Sequence, residues 1–157
     1  MKYICLFENF EEGHKFDLLD LFTISPSEVE ELFFREIRNN PPDLENIQVF
    51  LDSGLVEVNA KDDRGRTPLH SAAGNNHLKL AELLISSGAE VNAKNEDGNT
   101  PLHWAAYRDS LEVAKLLISS GADLEAKNIV GWTPLAWAAR WNRQKMVELL
   151  KKHGGVQ

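Results

Sequence analysis

Cysteine is almost absent from this chain: Cys5 is the only one in 157 residues. One thiol cannot close an intramolecular disulfide or build a zinc site from several thiolates. The count therefore fits a reducing compartment. An excess of positive charge is also missing, because Lys and Arg number 17 against 24 Asp and Glu, for a formal net charge of −7. That balance argues against generic nucleic-acid binding, which needs basic surface to neutralise phosphates. No apolar run approaches the roughly 18 residues that cross a bilayer, so no membrane is expected. The apolar start, Met1 to Phe7, is short and runs straight into Glu8, Glu11 and Glu12 without a small-residue cleavage site. No secretory signal is expected. The signatures of catalysis are missing too: there is no G-x-S-x-G, P-loop, G-x-G-x-x-G or H-E-x-x-H. The reading is a non-enzyme without cofactor or metal.

What is present is ordinary globular material, 43% hydrophobic and 26% charged, long enough to bury a core. Its dominant feature is a repeat. Residues 59–91, 92–124 and 125–157 align without gaps at a period of 33. The first two units agree at 19 of 33 positions and the second and third at 13 of 33.

Each unit has the same local logic. Thr67-Pro68, Thr100-Pro101 and Thr133-Pro134 put an N-cap residue before a proline at the first helical position, where its missing N–H costs nothing. A short helix is expected over Leu69–Ala73, Leu102–Ala106 and Leu135–Ala139, followed by a polar break such as Gly74-Asn75-Asn76. A second helix then presents Leu78, Ala81, Leu83, Leu84 and Ile85, or Leu111, Val113, Ala114, Leu116, Leu117 and Ile118. Gly88 and Gly121 sit where a helix stops in the left-handed conformation. Gly65, Gly98 and Gly131 fall in the connecting turn.

The pattern G-x-T-P-L-H-x-A-A with a downstream L-L-I-S-S-G-A resembles the ankyrin repeat, and the resemblance covers residues 59–157. It implies an all-α repeat solenoid: helix–turn–helix units stacked side by side and joined by hairpin-like loops, each unit relying on its neighbours for burial. It also implies that His70 and His103 hydrogen-bond backbone between units rather than bind metal. Ala136 stands at that place in the third unit, where the sequence offers no following unit to tie. Residues 125–157 are expected to act as a C-terminal capping repeat, with Lys151 and Lys152 replacing the earlier Ile-Ser. Residues 26–58 read as a degenerate N-terminal capping repeat. Ser25-Pro26-Ser27-Glu28 forms a capping box, Val29, Leu32, Phe33 and Ile37 follow at helical spacing, and Asp43 caps a second helix. Residues 1–25 carry too many apolar side chains to leave in water. They are expected to pack on the open end of the stack, the alternative being contact with another chain and a dimer; otherwise the protein is expected to be a monomer. Cys5, in its apolar run, reads as an inert buried thiol.

In ankyrin-like stacks the loop tips and first helices make a concave recognition surface. Mapping by motif, the candidate partner-binding residues are Arg64, Arg66, Asn99, Tyr107, Arg108, Ile129, Trp132, Arg140 and Trp141, a set rich in hot-spot residue types. Trp104 and Trp137 read as partly packed between helices. Charge is segregated as well: residues 1–58 hold 4 basic and 13 acidic residues, whereas residues 125–157 hold 6 and 2. The expected function is a non-catalytic protein-binding module in the cytoplasm. The alternative is a small inhibitor or adaptor subunit that also uses residues 1–25 as a contact, an exported effector of an intracellular bacterium or virus being one form of it.

Overall fold

A computed structural model of the chain describes residues 24–155. Among them are eight helices and no strand. In chain order these are α1 Pro26–Arg38, α2 Leu44–Asp52, α3 Pro68–Asn75, α4 Leu78–Ser86, α5 Pro101–Arg108, α6 Leu111–Ser119, α7 Pro134–Arg140 and α8 Gln144–Lys152. The expectations for residues 1–25, including the role of Cys5, lie outside the described residues except at Ile24 and Ser25. The chain divides into two units, Met1–Glu57 and Val58–Gln157.

In the first unit α1 starts at Ser25, whose hydroxyl accepts the Glu28 N–H at 3.4 Å while the Glu28 carboxylate accepts the Ser25 N–H at 2.8 Å. This reciprocal pair satisfies donors that the first helical turn leaves without partners. Val29, Leu32, Phe33 and Ile37 recur at helical spacing and are all buried. The Phe33 ring meets those of Phe34 and Phe50 edge-on, each at 5.8 Å between centroids. Asp43 caps α2 by accepting the Asn46 N–H at 3.1 Å.

In the second unit three helix pairs stand side by side. The first helices form one layer, α3 against α5 and α5 against α7; the second helices form another, α4 against α6 and α6 against α8. Small residues make the first layer possible. Ala72, Ala73, Ala105, Ala106 and Ala138 are fully buried, and their short side chains let neighbouring helices approach closely. The second helices bury Leu80, Ala81 and Leu84, then Val113, Ala114 and Leu117, then Met146 and Leu150.

Two local expectations need correction. The first helices run further than expected, α3 to Asn75 and α5 to Arg108. The residue that ends the turn is the next one, Asn76 or Asp109, in left-handed conformation at φ of 56° and 61°. Asn and Asp tolerate this conformation through short polar side chains, so no glycine is required. The second helices do not bury every apolar residue either: Leu78, Leu83 and Ile85 are half-buried, and Leu80, not singled out from sequence, is fully buried. Successive helical residues are about 100° apart, so three adjacent apolar residues cannot share one face.

Asp109 is the exception among the turn residues, since Asn76 and Asn142 occupy the equivalent places at positive φ. The Oδ1 atom of Asp109 is buried with no hydrogen-bond partner among the described residues. Asp109→Asn should therefore raise stability by about 0.5–1 kcal/mol, read as a melting temperature higher by a few degrees; a lower one would contradict this account of the turn.

Candidate partner-binding surface

The loop that opens each repeat is built by one side chain. Asp62 Oδ1 accepts the N–H groups of Arg64 and Arg66 at 3.0 and 2.9 Å. Its other oxygen pairs with the Arg66 guanidinium at 2.7 Å. Burial pushes the Asp62 carboxyl up, but the bonds from Arg66 and Arg64 outweigh that and hold it below its ordinary value. Asn95 and Asn128 do the same work in the next loops, accepting the Asn99 N–H at 2.8 Å and the Trp132 N–H at 2.9 Å.

Neighbouring loops are then tied into a row. Glu96 N–H donates to Arg64 O at 3.3 Å and Ile129 N–H to Asp97 O at 3.0 Å. Asn59, at the start of its repeat, holds Gly88 and Glu90 near the end of the same repeat through both ends of its amide, and Asn92 holds Gly121 and Asp123 in the same way. The approach is close: at Gly98, with φ of +73°, a Cβ would lie 3.0 Å from Ile129 N and 3.1 Å from Asn128 Cα.

The two histidines fix the helices to this row. His70 Nδ1 accepts the Thr67 N–H at 3.0 Å, and its Nε2 is 2.9 Å from Asn99 O in the next repeat. A backbone N–H can only donate, so Nδ1 carries no proton and Nε2–H is the donor. His103 repeats the arrangement with Thr100 N–H and Trp132 O, at 3.2 and 2.9 Å. Burial lowers the His70 pKa to about 4, and lowers that of His103 as well. Both ring nitrogens of each histidine are thus engaged in the repeat framework. Among the described residues no group of three His, Cys, Asp or Glu side chains could hold a metal. At Ala136 no ring competes, and Thr133 Oγ1 accepts the Ala136 N–H at 3.2 Å.

Above this frame lies a continuous run of rings on α5, on α7 and at Trp141, the residue that follows α7. Trp104 meets Tyr107 at 6.4 Å, and Tyr107 meets Trp137 at 5.6 Å and Trp141 at 5.3 Å, all edge-to-face. Gly74 on α3 makes room for the first of them, since a Cβ there would touch Trp104 at 3.5 Å. Three guanidiniums flank the rings: Arg66 over Trp104 at 5.8 Å, Arg108 over Tyr107 at 5.4 Å and Arg140 over Trp141 at 5.9 Å.

The residues expected to bind a partner divide accordingly. Arg64, Arg108, Arg140, Trp132 and Trp141 are exposed, and Ile129 is 72% exposed. Tyr107 is half-buried at the centre of the ring cluster, and Arg66 is half-buried and paired to Asp62. Asn99 was expected at the surface and is not: it is 3% exposed. Its N–H, carbonyl and side-chain oxygen bind Asn95, His70 and Asn128 respectively, so it holds loops together and is unavailable to a ligand. Trp104 and Trp137, read only as packing residues, are half-buried members of the ring cluster. The sequence signal for them was the i, i+3 spacing of Trp104 and Tyr107 together with the 33-residue offset to Trp137, which puts all three on adjoining helical faces.

This arrangement of paired helices, Thr-Pro caps and histidine ties agrees with comparison to known proteins. A family model described as ankyrin repeats (3 copies) matches residues 37–128 and 94–157. The chain belongs to the ankyrin-repeat family. Ankyrin repeats generally mediate protein–protein interaction and typically do no catalysis. Two curated Arabidopsis thaliana proteins, acyl-CoA-binding domain-containing proteins 2 and 1, are each 43% identical to it over 47 residues. That stretch is 30% of this chain but only 13% and 14% of theirs, so the chain covers a small part of the length of these relatives.

Proposed function

We propose that this ankyrin-repeat chain binds a partner protein on the loop tips and first-helix face of residues 58–155. The observation that supports this most is the ring cluster of Tyr107, Trp137 and Trp141, edged by Arg108 and Arg140 and continued at the third loop by exposed Ile129, Val130 and Trp132. Trp141 is 49% exposed and Val130 64%. Large aromatic side chains lose little entropy for the area they cover and Arg adds charge and planar hydrogen bonding, so these types dominate binding energy at interfaces.

The test compares capture of partner proteins by the wild-type chain, by Trp132→Ala/Trp141→Ala, and by Lys79→Ala/Lys115→Ala on the second-helix layer, where both lysines are exposed. The double tryptophan variant should lose capture by about 100-fold while its circular dichroism and melting temperature stay near wild type. The lysine variant should capture normally. Equal loss in both variants, or unchanged capture by the tryptophan variant, would reject this surface.

A further inference from the structure

The charges around the ring cluster are not equivalent. Arg66 is neutralised by Asp62 at 2.7 Å. Arg108 and Arg140, both exposed, rest on Tyr107 and Trp141 and make no ion pair among the described residues. Two exposed guanidiniums without a carboxylate partner thus border one aromatic surface. Arg140 lies in the repeat where basic residues collect, with 6 basic against 2 acidic residues over 125–157, and Arg108 comes from the repeat before it. The loop tips of the preceding repeats are different, because exposed Asp63, Glu96 and Asp97 stand there against one exposed cation, Arg64. An anionic ligand is drawn to the Arg108–Arg140 edge and repelled from those tips.

Resting on the binding surface proposed above, we infer that its ligand is an acidic linear segment of a partner protein carrying aromatic or aliphatic side chains. Its carboxylates pair with Arg108 and Arg140, where the planar guanidinium can donate two parallel hydrogen bonds. Its apolar side chains lie on Tyr107, Trp137 and Trp141. Charge complementarity of this kind sets orientation and partner choice more than raw affinity. Single-stranded nucleic acid shares the taste for Arg and aromatic rings. It is disfavoured because its charge is unbroken along its length, and it would have to pass the acidic tips against a net chain charge of −7.

The experiment pans a random dodecapeptide library displayed on phage against the full chain, then measures the synthesised consensus peptide by fluorescence anisotropy. The expected consensus has Asp and Glu outnumbering Lys and Arg, interspersed with Phe, Trp, Tyr or Leu. Its affinity should fall about tenfold or more on Arg108→Ala/Arg140→Ala, and similarly between about 0.05 M and about 0.5 M salt. Replacing the peptide's acids with Gln and Asn should give the same loss without altering the chain, which keeps the result readable if the double variant melts early. A basic or uncharged consensus, no enrichment at all, or an unchanged affinity in Arg108→Ala/Arg140→Ala overturns the inference. So does displacement of the peptide by oligothymidylate. Partner capture that still depends on Trp132 and Trp141 while acidic peptides fail would overturn the ligand chemistry alone. Capture independent of both tryptophans would overturn the surface itself.

Discussion

Urea unfolding should show His70 alone withdrawing about 3 kcal/mol of stability as the pH falls from 7 to 4. The folded-state pKa is lowered from 6.5 to about 4, first because burial opposes the imidazolium charge. The bond to the Asn99 carbonyl and the charge of Asp62 pull the other way but do not offset the burial. A proton on Nδ1 would face the Thr67 N–H that now donates to it at 3.0 Å. Because the folded pKa is depressed, the unfolded chain takes up the proton first. The contribution is therefore fully present above pH 6.5, is lost through the window down to about 4, and changes no further below it. His103 is shifted the same way by the same cause and steepens the loss. Glu36, in the other unit, is raised by burial and acts with the opposite sign, so the probe must separate the units. Tryptophan fluorescence does, since Trp104, Trp132, Trp137 and Trp141 are the only four tryptophans and all fall within Val58–Gln157. The slope of stability with pH should flatten in His70→Gln. An identical slope in that variant would mean the histidine is hydrated in the folded state and is not the tie described.

Leu84→Ala should cost about 3 kcal/mol and Leu83→Ala about 1 kcal/mol or less. Leu84 is fully buried between the helix layers, as is its counterpart Leu117, whereas Leu83 and Leu116 are half-buried. Deleting three carbons from a close-packed site removes transfer energy and also leaves a cavity; at a half-exposed site water fills the space. Chemical denaturation of the two variants side by side measures the difference. Equal costs would show that the helix is rotated about its axis relative to this structure.

The same leucine pair shows where sequence reading stops. Leu83-Leu84-Ile85 is a run in which each residue has the same claim to the core, and a period near 3.6 leaves the phase open until the neighbouring layer is present. By contrast, the capping box at Ser25 and Glu28, the Thr-Pro starts of α3, α5 and α7, and the left-handed glycines Gly88 and Gly121 were legible because each is settled within a few residues. The surface was legible in part. Ile129, Trp132 and Trp141 could be placed outside by counting from the motif. Asn99 could not, because it sits beside a turn glycine like an exposed loop residue, and only the adjacent repeat supplies the His70 and Asn128 groups that bury it.

By itself the sequence determined the repeat, its 33-residue register, the helix starts and the family, since local capping and turn preferences, repeated three times, admit one reading. Tertiary structure alone decided which side chains of different repeats meet: that Trp104 and Tyr107 join Trp137 and Trp141 in one surface, and that Asn99 is framework. Those outcomes depend on contacts between residues about 33 positions apart, whose distance is set by how closely the alanine-faced helices pack, and no local preference encodes that distance.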